Sequence, residues 1–407
     1  MRTLRLALSL LLLAGAIATG ATGSTSADPG ITPKTILLGG TAPLSGTASA
    51  YASVARGANA YFRHVNSRGG VNGRTITYKF VDDAYNAVQT VQATKQLVEQ
   101  DKVFAIFNSL GTEQNEAIRP YLNQAKVPQL FVASGATTFG HDFKQYPWTI
   151  GFQPSYRAEG WIYGKYLARA KPGAKIAVLF QNDAYGKDLL GGLKQGIARS
   201  KVKVVAAEPF EVTAPDVQSQ IAKLKASGAD TLALFATPRH AIQGYVFANR
   251  LKWRPLIINN AVSSASNIMT LASEGNTNQS VENSISIVFL KDPTDAKWRT
   301  DPAVKLYRSI MARHARGANA KDVYHVYGMA VAYETVAVLK AAGKNLTRAS
   351  VMSQTRKLND ASNPFLLPGI TVRTSATERF PIEQALLQRW SNGTWKSFGG
   401  LWGYRAG

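Results

Sequence analysis

The sequence predicts an α/β protein built from two doubly wound parallel-sheet lobes joined by a multi-strand hinge. Two observations lead there. Short β-rich runs alternate with amphipathic helical patterns in two successive series, each longer than a hundred residues, and the final third of the chain does not form a third series. The 407 residues also exceed what one hydrophobic core usually organises, roughly 250–300 residues, which points to two domains.

In the first series, Thr35–Gly39 reads as a strand and Ala55–Asn66 as a helix stopped by Gly69-Gly70. Thr75–Val81 alternates as a strand, and Ala87, Val91 and Val98, with Val88 and Leu97, form a helical stripe. Val103–Phe107 is a buried strand, Glu113–Gln124 a helix and Pro128–Val132 a strand. Strand and helix in strict alternation imply a parallel sheet covered on both faces.

The second series runs through a helix at Ala158–Ala170, a strand at Ile176–Phe180, a helix at Lys187–Ala198 and a strand at Lys203–Ala207. Val217, Ile221 and Leu224 mark a helix, followed by the strand Thr231–Phe235, the helix Ala241–Asn249 and the strand Leu256–Ile258. Beyond it lie a strand at Ser284–Phe289, helices at Asp301–Arg316, Asp322–Ala342 and Ser350–Lys357, and a terminal strand at Ile382–Trp390. These pieces complete both lobes only if the chain crosses between them near Gly151, Leu290 and Pro381, and several crossing segments make a hinge. The expected division is 28–151 plus 291–380 for the first lobe and 152–290 plus 381–407 for the second.

Residues 1–27 have the order of a secretory leader. Arg2 and Arg5 precede an apolar run from Leu6 to Ile17, and small residues end at Thr25-Ser26-Ala27, where cleavage is expected. No later window approaches the roughly 18 apolar residues of a membrane span, so a periplasmic or secreted, non-spanning protein is expected. The absence of cysteine excludes disulfides, thiolate metal sites, a cysteine nucleophile and lipid attachment through a cysteine. The formal net charge of +22 falls to +20 without Arg2 and Arg5. These charges are dispersed, the densest cluster being Arg313-His314-Ala315-Arg316, and read as a basic solvated surface rather than a nucleic-acid site. Binding to anionic envelope polymers is the rival reading of that surface.

In doubly wound sheets, ligands sit outside the carboxyl ends of the strands. The first such loop is Asn108-Ser109-Leu110-Gly111-Thr112, where Gly111 permits close approach of a ligand and Thr112 offers a hydroxyl. Free N–H groups at the start of the following helix suit a carboxylate, although Thr112 serves equally well as that helix's own cap. The next strand ends in Ala133-Ser134-Gly135-Ala136, again small and polar. Tyr51 and Tyr185 follow strands of different lobes and can cover an organic ligand from opposite sides, although isolated tyrosines are more often packing residues.

Enzyme signatures are weak. His64, His141, His240, His314 and His325 show no metal-ligand spacing, so neither metal nor cofactor is expected. Ser134 lacks the first glycine of a nucleophile elbow, and Gly69-Gly70-Val71-Asn72-Gly73 precedes a strand, the reverse of a dinucleotide fingerprint. Asp82-Asp83 reads as a structural loop pair, because neighbours in extended chain point oppositely.

Ala42-Pro43-Leu44-Ser45-Gly46, the run from Asn66 to Gly73, Asp82-Asp83, Val127-Pro128 and Asn182-Asp183-Ala184-Tyr185-Gly186 together resemble the branched-chain amino-acid-type substrate-binding proteins of ABC transporters, with the type I periplasmic binding fold. The resemblance spans nearly all of the chain after residue 27. It implies a small organic solute held between lobes and handed to ABC permease membrane subunits. It also implies that Leu110, Gly111 and Thr112 with Ala133, Ser134 and Gly135 grip a carboxylate, and that Tyr51 and Tyr185 supply aromatic contacts. A ligand sensor on the same fold is the alternative. One position departs from the pattern: the acid that receives an α-amino group should follow Ile257-Ile258, where this chain reads Asn259-Asn260-Ala261-Val262. That weakens the case for an α-amino acid without closing it: the expected solute is a small carboxylate-bearing one, a branched-chain or other amino acid or an aromatic or aliphatic acid.

Overall fold

The structure, a computed structural model, describes residues 28–404. The expected leader and residues 405–407 lie outside them.

The first sheet contains five parallel strands, β1 (Thr35–Ala42), β2 (Thr75–Asp82), β3 (Ala105–Phe107), β4 (Gln129–Val132) and β5 (Thr149–Gly151), in the order β2-β1-β3-β4-β5. Helices α1 (Ala52–Asn66), α2 (Ala87–Lys95), α3 (Thr112–Gln124) and the single turn α4 (Thr138–His141) connect them. Side chains alternate between faces, as strand geometry requires. Ala105 and Phe107 of β3 join the core beneath α1, while Ile106 between them joins Leu97, Ile118 and Leu122 on the α2–α3 side.

The second sheet has seven strands in the order β14-β13-β10-β9-β8-β6-β7. Its parallel part comprises β6 (Lys175–Gln181), β7 (Lys203–Phe210), β8 (Thr231–Phe235), β9 (Leu256–Asn259) and β10 (Ile285–Val288). Helices α5 (Tyr156–Ala170) and α6 (Ala184–Ile197) flank it, with α7 (Gln218–Ala226), α8 (Pro238–Arg250) and α9 (Ser266–Ala272). Again the pleat sorts the core. Ile176 and Val178 of β6 face the α5–α6 layer, and Ala177 and Leu179 face the α7–α8 layer.

The remaining helices, α10 (Pro302–His314), α11 (Val323–Ala341) and α12 (Arg348–Thr355), return to the first sheet, where Tyr307, Met329 and Val351 share one core with Phe62 and Phe107. The short antiparallel pair β11 (Asn359–Asp360) and β12 (Val372–Arg373) follows. The chain therefore passes between the sheets after β5, after β10 and after β12. The second passage is tied to the segment between β11 and β12: Leu290 bridges Leu366, and the Leu367 amide donates to the Phe289 carbonyl at 2.9 Å.

The expected single terminal strand is instead a hairpin, β13 (Gln384–Ser391) and β14 (Thr394–Gly403), added antiparallel to β10. Asn392 and Gly393, both at positive φ (53° and 74°), form its two-residue turn. Among the described residues no helix is long and apolar enough to cross a membrane.

Candidate functional site

Both parallel sheets reverse strand order, at β1/β3 in the first and at β6/β8 in the second. The loops leaving those strands converge on one cleft of about 790 Å³, open mouth included. Tyr51, Tyr85, Leu110, Gly111 and Ala133 come from the first sheet's loops, and Tyr185, Thr237, Ala261 and Val262 from the second's. Gln153, Tyr156 and Glu159 arrive on the first passage between sheets, Phe289 and Leu290 on the second, and Tyr324 and Tyr327 from the start of α11. Among the described residues no Lys, Arg or His lines the cleft.

The sequence-derived candidates divide into two shells. Tyr51, Leu110, Gly111, Ala133 and Tyr185 line the cleft directly. Thr112, Ser134 and Gly135 stand behind it: the Thr112 and Ser134 hydroxyls bond each other at 2.7 Å, and Ser134 and Gly135 line a small adjoining pocket with Gln153 and Arg379. Gly111 has φ of +114°, and a Cβ there would lie 2.1 Å from Gln114 Oε1 and 2.9 Å from Tyr85, so only glycine fits.

The aromatic lining is richer than the sequence suggested. Tyr51 packs edge-on against Tyr324 at 5.2 Å between centroids, and Tyr156 against Tyr185 at 4.7 Å. Tyr85 is held by the Asp82-Asp83 pair. Asp82 Oδ1 accepts from the Leu44, Ser45 and Ala84 amides, Asp83 Oδ1 accepts from the Tyr85 amide, and the loop turns through positive φ at Ala84 and Tyr85. Thus the carboxylate pair shapes the loop, and its geometry delivers an aromatic ring. With the Asn260 side-chain amide turned so that both its oxygen and its nitrogen are satisfied, its oxygen accepts from the Tyr185 hydroxyl at 2.8 Å. The Tyr51 and Tyr327 hydroxyls are buried and make no hydrogen bond among the described residues.

Glu159 is the site residue that the sequence did not disclose. It lines the cleft from the first turn of α5, and its Oε1 accepts from the Ala261 amide at 2.6 Å and the Tyr163 hydroxyl at 2.7 Å. Burial pushes its carboxyl from 4.5 up to about 7, with the two hydrogen bonds pulling the other way. A carboxyl group therefore stands against the loop after β9 after all, contributed by another element. Its signal was a Glu four residues after Ser155, the cap of α5 just beyond a candidate crossing, and only the fold links it to Ala261. Asp183, likewise buried, is raised to about 6, and it caps α6 by accepting from the Gly186 amide at 3.1 Å.

Hydrogen bonds join elements of the two sheets at and beside the cleft. The Tyr324 hydroxyl donates to the Val262 carbonyl at 2.7 Å, and the Thr137 amide donates to Asp188 Oδ2, also at 2.7 Å.

Comparison with known proteins agrees with this architecture. The profile of the periplasmic binding protein family matches residues 35–394. A leucine-, isoleucine-, valine-, threonine- and alanine-binding protein of Pseudomonas aeruginosa is 28% identical over 222 residues, covering 54% of this chain and 57% of the relative. The matches to curated relatives thus span about half of those proteins' length. Among solved structures, a fatty acid ABC transporter substrate-binding protein from Thermomonospora curvata superposes with a TM-score of 0.80 at 19% identity, covering 93% of this chain and 95% of that one. A solute-binding protein of an ABC transporter from R. palustris, in complex with benzoate, superposes with a TM-score of 0.74 at 18% identity, covering 90% and 96%. The chain belongs to the periplasmic binding protein family, and its fold is the two-lobed type I fold of the solved structures on which it superposes.

Proposed function

We propose that the chain is the extracytoplasmic solute receptor of an ABC importer, capturing a small carboxylate-bearing organic solute between its lobes and presenting it to permease subunits. One observation carries the reading: the loops of both sheets meet in a single cleft walled by Tyr51, Tyr85, Tyr156, Tyr185, Tyr324 and Tyr327, with no basic side chain in its lining. Such a wall favours an apolar or aromatic body. Its charged end is met by backbone amides and hydroxyls rather than by an ion pair. Similar proteins named for fatty acids, benzoate and branched-chain amino acids support this class of solute.

The lobes in this reading are 28–151 plus 291–380 and 152–290 plus 381–407, hinged near Gly151, Leu290 and Pro381. Tyr51, Leu110, Gly111, Ala133 and Tyr185 contact the solute, and Thr112, Ser134 and Gly135 position the first-lobe loops. Glu159 sets the choice among solutes: ionised, it favours an ammonium and so an amino acid; protonated, it tolerates a plain acid. Export with cleavage after Ala27 places the receptor in the periplasm or outside the cell. Small-angle scattering with a panel of organic acids tests the mechanism. Compaction with at least one acid is expected, and unchanged scattering and unchanged melting across the panel at millimolar concentrations contradicts it.

A further inference from the structure

Away from the cleft, a second pocket of about 530 Å³ opens between the loop 143–150 and the end of α12. Its charged lining residues are Lys144, Arg356 and Arg379, and no Asp or Glu lines it. Among the described residues, none of the three has a carboxylate within ion-pair distance.

Arg379 is the unusual member. It is only 9% exposed, its guanidinium lies over the Phe143 ring at 5.2 Å, and Nη2 donates to the Ala376 carbonyl at 3.2 Å, yet Nη1 has no hydrogen-bond partner among the described residues. Arg356, donating to the Pro147 carbonyl at 3.1 Å, stands close enough to add its repulsion to the burial that already disfavours charge on Arg379. The adjacent acid, Glu378, is not within ion-pair distance of Arg379; its Oε1 accepts from the Phe380 amide at 3.0 Å instead. Surface arginines on a basic protein need no counter-ion, since water screens them. A buried guanidinium facing a second one is different: its charge and its free N–H call for an acceptor.

We propose that this pocket is an oxyanion site, separate from the solute cleft, which takes phosphate or a small carboxylate on Arg379, Arg356 and Lys144. Planar guanidinium forks match both anions, and the lysine adds a mobile point charge at the rim.

Thermal melting of the intact protein tests it, with inorganic phosphate and acetate each compared against sodium chloride of equal ionic strength. Phosphate, or acetate if the natural ligand is a carboxylate, is expected to raise the midpoint beyond chloride. Arg356→Gln and Lys144→Gln, both at the pocket's rim, are expected to shift the half-effective anion concentration upward at least fivefold. Arg379→Gln, where circular dichroism shows it folded, is expected to abolish the response. Solute binding in the rim variants should match the parent, which separates this site from the cleft. No excess over chloride for either anion, or rim variants that respond like the parent, would overturn the proposal.

Discussion

Glu159→Gln removes a charge from the cleft while keeping an acceptor for the Ala261 amide and the Tyr163 hydroxyl. Below pH 4.5 the glutamate is protonated in both folded and unfolded chains, and the substitution is nearly neutral. As pH rises from 4.5 towards 7, the unfolded chain releases this proton first, so the folded state loses stability over that window. Moving the carboxyl from 4.5 to about 7 corresponds to a cost of about 3 kcal/mol once it is fully ionised. Asp183 and Glu334, raised to about 6 and about 8 for the same reason of burial, titrate in both proteins and cancel in the difference. Urea unfolding of parent and variant at pH 4, 6 and 8 reads that difference. The variant's relative stability should climb by about 3 kcal/mol between pH 4 and 8. Parallel pH profiles would refute the burial argument and with it the role assigned to Glu159.

Tyr185→Phe removes the bond to Asn260 at the cleft wall and is expected to cost about 1 kcal/mol of stability, read by urea unfolding, with weakened solute binding by calorimetry. Tyr324→Phe breaks the cross-cleft bond to Val262; solute affinity should fall about fivefold, the equivalent of about 1 kcal/mol, while stability without solute changes less. Gly160→Ala places a Cβ 2.1 Å from the Leu189 carbonyl in the α5–α6 seam that seats Tyr156, Glu159 and Tyr185, and should destabilise the fold by about 1–3 kcal/mol in thermal melts.

The parallel layers were legible because their central strands are buried on both faces, their edge strands β2 and β7 alternate, and their helices carry one apolar stripe, which makes the two periods easy to separate. The short elements β5 and α4 were not, since Thr149-Ile150-Gly151 and Thr138-Phe139-Gly140-His141 each hold a single large apolar residue and lack the apolar run that marks β3 or β4. The final hairpin was missed although Ser391-Asn392-Gly393-Thr394 carries its turn signal, because its solvent-facing half, with exposed Gly399, Gly400 and Leu401, lacks clean alternation. In the site, loops that directly follow strands could be found: Tyr51, Gly111, Ala133 and Tyr185 all reach the cleft. Tyr324 and Tyr327 could not, because α11 reaches the cleft only after the chain has crossed lobes, and adjacency of that kind has no local sequence mark. Glu159 was hidden likewise. Its contact with Ala261 spans 102 residues, so the missing acid after β9 looked like a missing function.

Isothermal titration of leucine, benzoate and a fatty acid into the parent protein and the Tyr51→Ala/Tyr185→Ala variant tests the central claim most directly. Saturable binding of one molecule per chain for at least one of these acids, lost in a variant that still folds, is the predicted result. Binding that persists unchanged in that variant, or no binding of any organic acid by the parent, would contradict it.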